Sequence, residues 1–191
     1  MNAGRIDYLM LKWRAIVWLV LGRPKAAMEC FDAMLKIWPT DAYALASRAH
    51  QFAQKERLAE ALADMRALVT AQPERSAGDW FNLAFVLEAA GQYEEAEAAF
   101  RRTIAMDAKL DRAWYGLGLV LIRLARHEEA VTALKRNTEL QPMSPYGWYQ
   151  LARVQFERQR PEETRKIIRH LKGFEPKVAA QLERETGIQV G

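Results

Sequence analysis

Trp80, Trp114 and Trp148 stand 34 residues apart. A constant interval of that length marks a chain built from stacked copies of one supersecondary unit, and it restricts the fold more than any local propensity does. Other columns keep the same interval. Pro39 and Pro73 are 34 residues apart, as are Pro142 and Pro176, with Ala108 in the remaining place. Ala27, Ala61, Ala96 and Ala130 form a small-residue column, followed by a bulky one of Phe31, Met65, Phe100, Leu134 and Ile168. Both columns take a single 35-residue step at the same point, which puts one inserted residue near Ser76. Five repeats result, at about 8–41, 42–75, 77–110, 111–144 and 145–178.

Each repeat reads as two helices. In the fourth, Trp114, Leu117, Gly118 and Leu121 fall at i, i+3, i+4 and i+7, one face of an α-helix. The small residue in that face (Ala15, Ala49, Ala84, Gly118 or Ala152) lets a second helix approach closely, and that helix brings Ala130 and Leu134. Between the two, Gly22-Arg23-Pro24, Gly91-Gln92-Tyr93 and Gln159-Arg160-Pro161 carry stop and start signals. Glu94-Glu95, Glu128-Glu129 and Glu162-Glu163 then fall in the first turn of the second helix, where the helix dipole favours each by ~0.3–1 kcal/mol. Pro142 and Pro176 close second helices. The pattern predicts ten helices and a cap over 177–187, with Val178, Leu182 and Glu185 turned towards the fifth repeat and Gly187 ending it.

These residues resemble the tetratricopeptide repeat family. The fourth repeat reads Trp114-x-x-Leu117-Gly118-x-x-Leu121, Ala130-x-x-x-Leu134 and Pro142, and the third reads Trp80-x-x-Leu83-Ala84-x-x-Leu87, Gly91 and Ala96-x-x-x-Phe100. The outer repeats depart from the pattern. Leu11 and Leu45 replace the tryptophan, Arg14 and Arg48 stand where the leucine belongs, and Trp18 and Phe52 take the aromatic position. In the fifth, Gln155 and Thr164 occupy positions that are normally apolar or small. The resemblance implies an all-α fold, a right-handed superhelix (solenoid) of five helix-turn-helix repeats with a C-terminal capping helix. It also implies one array over 1–191 and a non-catalytic scaffold or adaptor for a protein or peptide partner.

A second column follows the tryptophans by one residue: Phe81, Tyr115 and Tyr149. A helical neighbour points about 100° away, so these three do not share the packing face. In the family that the chain resembles, first helices line a concave surface, faced by this position and by those four and about seven residues later. The candidate groove is therefore Tyr43 and His50; Phe81, Phe85 and Glu88; Tyr115, Leu119 and Arg123; Tyr149, Arg153 and Phe156. Such an aromatic wall suits an extended or helical peptide, with Arg123 and Arg153 available to a carboxylate. The competing reading is that the same aromatics pack between neighbouring first helices and stiffen the array.

Other chemistries find little support. Half the residues are hydrophobic, 27% are charged, and the one cysteine, Cys30, excludes an intramolecular disulfide. His50, His127 and His170 lie on different repeats without ligand spacing, and Gly116-Leu117-Gly118 sits inside a predicted helix, unlike a phosphate loop. No catalytic residue, metal, cofactor or small-molecule substrate is expected. The apolar run from Ala15 to Leu21 falls short of the ~20 residues a bilayer span requires, so the expectation is no membrane span and a cytoplasmic location. Two alternatives remain. Ile16, Leu19 and Val20 lie off the pairing face and mark an apolar patch for self-assembly, unless Met1 to Asp7 fold over it. Residues 153–172 hold seven Lys or Arg against three Glu, a local excess equal to the net charge of +4. Arg165, Lys166, Arg169 and Lys172 there would offer an anion or nucleic-acid surface, although a solvated face is the commoner meaning of such a run.

Overall fold

The structure, a computed structural model, describes residues 3–190. These form eleven α-helices: α1 (Ala3–Val20), α2 (Pro24–Ile37), α3 (Ala42–Ala53), α4 (Leu58–Ala71), α5 (Ala77–Ala89), α6 (Tyr93–Met106), α7 (Asp111–Arg123), α8 (His127–Leu140), α9 (Pro145–Glu157), α10 (Pro161–Lys172) and α11 (Pro176–Thr186). The chain divides into two compact units, Met1–Gly91 with α1 to α5 and Gln92–Gly191 with α6 to α11. Within each unit, every helix packs against its neighbours in sequence, and α11 also packs against α9. No helix is long and apolar enough to cross a membrane among the described residues.

The turn inside each repeat has one geometry. Gly22, Glu56, Gly91, Ala125 and Gln159, one per repeat, all have φ between 55° and 73°. The next amide closes the turn by bonding five residues back, from Arg23 N to Trp18 O (2.8 Å), Arg57 N to Phe52 O (3.0 Å), Arg126 N to Leu121 O (2.9 Å) and Arg160 N to Gln155 O (2.9 Å). This is the Schellman closure, which needs a left-handed residue. Only two of the five are glycine, and the others carry a steric cost of roughly 1–2 kcal/mol each.

The repeating columns form the core. Ala27, Ala61, Ala96 and Ala130 are buried, as are Phe31, Met65, Phe100, Leu134 and Ile168. On the first helices Ala15, Ala49, Ala84 and Ala152 are buried as well. Gly118 has a stricter reason, since a Cβ there would lie 2.7 Å from Leu134 Cδ2. Gly116 is seated against the Phe100 ring of α6, which leaves no room for a side chain.

The tryptophans latch each first helix to the turn before it. The indole N–H of Trp80 donates to Pro73 O (2.8 Å), that of Trp114 to Ala108 O (3.0 Å) and that of Trp148 to Pro142 O (2.9 Å). The first bond reaches back seven residues and the other two reach back six, so the inserted residue near Ser76 is taken up in the α4–α5 turn. Trp148 also lies against His170 of its own second helix, ring centroids 4.4 Å apart.

The departures from the repeat pattern are satisfied locally. Arg48 donates through Nε and Nη2 to the buried Asp64 of α4 (2.8 and 2.7 Å), and through Nη1 to Asp32 of α2 (2.7 Å). These bonds hold its guanidinium pKa above the ordinary arginine value. The Thr164 hydroxyl donates to Arg160 O (3.2 Å), and Arg158 donates to Gln155 Oε1 (3.1 Å).

The expectations are corrected at the amino-terminal end and hold at the cap. On α1, Leu19 packs against the core cluster of Ala15, Ala27, Cys30, Phe31, Met34 and Ala44, and Ile16 is half-buried. The open face instead carries Ile6, Met10, Trp13, Val17 and Val20, because Tyr8, Leu11 and Trp18 anchor the opposite side on α2. Residues 3–7 continue α1 as helix and do not fold over this face, while Met1 and Asn2 lie outside the described residues. On α11, Ala179 and Leu182 are buried and Gly187 ends the helix at φ 70°. Glu185, although exposed, is turned towards the fifth repeat as expected and accepts a hydrogen bond from Tyr149 of α9. Beyond α11, Ile188 and Val190 turn inward and are buried.

Candidate functional site

In the carboxy-terminal unit, the residue after each tryptophan leads to a tyrosine cleft. Tyr115 of α7 and Tyr149 of α9 line a depression of about 290 Å³ with Pro145, Tyr146, Gln150, Val178 and Gln181. Both are half-buried, and Tyr146 is 70% exposed at its rim. The Tyr149 hydroxyl sits 2.9 Å from both carboxylate oxygens of Glu185, and Gln181 Nε2 donates to Glu185 Oε1 at 2.7 Å. Burial, then the Glu185 charge, pushes the Tyr149 phenol up, while the Gln181 bond and then Tyr149 itself hold the Glu185 carboxyl down. A fixed phenol beside a fixed carboxylate gives the cleft a polar edge and two aromatic walls.

A second depression, about 430 Å³, is lined by Tyr149, Arg153, Phe156, Glu157, Glu185 and Thr186. The Arg153 guanidinium stands 5.8 Å from the Tyr149 ring centroid, which is cation–π range. Phe156 is 42% exposed, and Arg123 is exposed on α7. Tyr115, Tyr149, Arg153 and Phe156 thus meet at these two depressions, whereas Leu119, half-buried, and Arg123 line neither.

The amino-terminal unit divides its residues differently. Tyr43 is packed, with its ring edge-on to Phe31 at 6.0 Å and the Lys12 ammonium 4.5 Å from its centroid; burial raises its phenol pKa. His50 is exposed, its Nε2 3.0 Å from Gln54 Nε2. Phe81 and Glu88 are half-buried, and Phe85 is 56% exposed. Tyr43 therefore joins neighbouring repeats, while Phe85 presents an aromatic ring to solvent.

Tyr146, Gln181 and Glu185 are absent from the sequence-derived set. Tyr146 had a readable signal, since it lies three residues before Tyr149 on the same helical face. Gln181 and Glu185 belong to α11, outside the repeat register. The basic stretch, in turn, is largely paired. Arg158 meets Glu128 (3.2 Å), Arg165 meets Glu162 (2.5 Å), Lys166 meets Glu163 (2.7 Å) and Lys172 meets Glu183 (2.9 Å). No group of three His, Cys, Asp or Glu suited to a metal occurs among the described residues.

The tetratricopeptide repeat family matches residues 87–149, a span that begins in α5 and ends in α9. None of the curated proteins matches the sequence. Among solved structures, a crystal structure of MamA protein is 15% identical, covering 97% of this chain and 98% of its own, with a TM-score of 0.83. YrrB, described as a tetratricopeptide repeat protein with an unusual peptide-binding site, is 17% identical over 89% of this chain and 88% of its own, with a TM-score of 0.80. A tetratricopeptide repeat protein from Parabacteroides merdae is 18% identical over 95% of this chain and 74% of its own, with a TM-score of 0.82. Residues 87–149 match the tetratricopeptide repeat family, and the chain has the helical-repeat fold of tetratricopeptide repeat proteins.

Proposed function

We propose that this chain is a cytoplasmic, non-catalytic adaptor that holds a protein or peptide partner on the aromatic surface of its first helices. The observation that carries the reading is the tyrosine cleft of the carboxy-terminal unit. Tyr115, Tyr146 and Tyr149 offer broad apolar faces with polar tips, the side-chain type that anchors interfaces at low entropic cost. Arg153 and the Tyr149–Glu185 pair supply charge and a fixed acceptor at its edge. Phe156 nearby and, in the other unit, Phe81 and Phe85 extend the aromatic character of the first helices, with Tyr43, His50, Glu88, Leu119 and Arg123 as lesser contributors. The peptide-binding site named for YrrB is consistent with this use of the fold. We read the five repeats as one array over 1–191, a reading that the family match supports from the third repeat into the fifth.

The test is capture of partners by the full chain and by Tyr115→Ala and Phe85→Ala. Loss of a captured protein with helix content unchanged supports the reading, and intact capture by both variants overturns it. Self-assembly is a second reading favoured by one observation, the open apolar face of α1. Light scattering that gives a strict monomer at all concentrations eliminates it.

A further inference from the structure

Three helices of the carboxy-terminal unit build the tyrosine cleft. Tyr146, Tyr149 and Gln150 fall at i, i+3 and i+4 on one face of α9, Tyr115 joins them from α7, and Val178 and Gln181 close the cleft from α11. Tyr149 is a fixed wall. Its hydroxyl is 2.9 Å from both Glu185 oxygens, while Gln181 Nε2 reaches Glu185 Oε1 at 2.7 Å and the same hydroxyl at 3.3 Å. These three groups satisfy one another, so the ring stands in place before anything binds.

The groups that stay unmatched define the ligand. No lysine, arginine, histidine, aspartate or glutamate lines the cleft, so a charged side chain finds no ion pair in it. The Tyr146 hydroxyl and the Gln150 amide have no hydrogen-bond partner among the described residues, and both can donate. An ordinary extended peptide brings N–H groups that need acceptors once they are desolvated, and the carboxylate at the edge, Glu185, is already engaged by Tyr149 and Gln181. A docked helix keeps its carbonyls bonded within itself and leaves both donors unmatched. A run of prolines meets both conditions. It has no backbone N–H, its ring faces are apolar, and in the polyproline II conformation its carbonyls carry no internal hydrogen bond and are open to donors.

We propose that the tyrosine cleft takes a neutral, proline-rich segment of the partner in the polyproline II conformation. Prolines stack on Tyr115, Tyr146 and Tyr149, and carbonyls of the segment accept from Tyr146 and Gln150. The inference rests on the cleft being the partner site and names what that site selects. The probe is a fluorescent, end-blocked oligoproline titrated against the full chain, beside a glycine–serine peptide of equal length. Saturable binding of the oligoproline is expected, with an affinity insensitive to salt because no charges pair. Tyr146→Ala weakens it by about tenfold, Tyr146→Phe, which removes only the hydroxyl, by about fivefold, and Gln150→Glu, which exchanges a donor for a charged acceptor, by about tenfold. Tyr146 is 70% exposed, so its two variants keep the helix content of the parent, checked by circular dichroism. No saturable binding of the oligoproline, or undiminished binding by Tyr146→Phe and Tyr146→Ala, overturns the proposal. Equal binding of the glycine–serine peptide, lost in Tyr146→Ala, overturns it too, but leaves the cleft as the partner site. Partner capture that survives both Tyr115→Ala and Phe85→Ala removes the site itself.

Discussion

Replacing Arg48 by leucine supplies the residue that the repeat pattern asks for, and the structure says it destabilises the chain. Asp64 is only 5% exposed, and two of its oxygen contacts, at 2.8 and 2.7 Å, come from Arg48. Arg48→Leu leaves that carboxylate buried without its cation, a loss of about 3–5 kcal/mol. For a chain of this length each 1 kcal/mol moves the melting temperature by roughly 2–4 °C, so a fall of about 6–20 °C follows. Arg48→Leu with Asp64→Leu removes both charges and returns to within ~1–2 kcal/mol of the parent. Asp32→Asn, on an aspartate whose side chain is 51% exposed, costs no more than ~1 kcal/mol. Urea unfolding followed by circular dichroism measures the set. Because repeat chains unfold in parts, amide exchange along α3 and α4 measures the local effect. If Arg48→Leu stays within ~0.5 kcal/mol of the parent, or the double variant loses the sum of the two single losses, the buried pair is not what holds this repeat.

Four further outcomes are expected. Ala125→Gly and Gln159→Gly relieve left-handed strain and raise the unfolding free energy measured in urea by ~0.5 kcal/mol each, while Gly91→Ala, at φ 73°, lowers it by about 1 kcal/mol. Gly116→Ala drives a methyl into the buried Phe100 ring and costs ~1–3 kcal/mol, read by the same unfolding assay. Trp114→Phe keeps the ring and removes the bond to Ala108 O, a loss of ~0.5–1.5 kcal/mol. As to pH, Arg126 first holds the Glu129 carboxyl below its ordinary 4.5, and Lys172 does the same for Glu183. Carboxyls with depressed pKa stabilise the fold above 4.5 and lose that contribution as pH falls through the lowered values, so the urea midpoint declines there and not between neutrality and 5.

How much of this was legible in the sequence follows from what repeats. The helices, the turns and the small and bulky core columns recur every 34 residues, and each appears where its column places it. The inserted residue near Ser76 is visible as one long step, and the Trp80 latch shows where the extra residue goes. What repetition does not encode was missed. Arg48 finds its aspartates 16 residues away in both directions, a pairing that occurs in one repeat alone. Glu185 and Gln181 act from a cap outside the register, so their bonds to Tyr149 had no column to announce them. Of the apolar patch expected on α1, Val20 is exposed but Ile16 and Leu19 are half-buried, because the packing of α1 on α2, which sets the side that Leu19 faces, is not written in the repeat interval.

The indole latches are unevenly distributed, and that gives the chain a direction. Trp80, Trp114 and Trp148 each fasten a first helix to the turn before it, whereas Leu45, at the same position in α3, has no N–H to donate. The α2–α3 turn keeps its cap, Asp41 Oδ1 accepting from Ala44 N (2.8 Å), and the bond from Gln72 Nε2 to Thr40 O (3.0 Å), but it lacks the indole bond that each later first helix carries. Pulled by its ends, the chain should therefore part first at the amino-terminal turn, and a protease that samples transient openings should cut there before it reaches the latched turns.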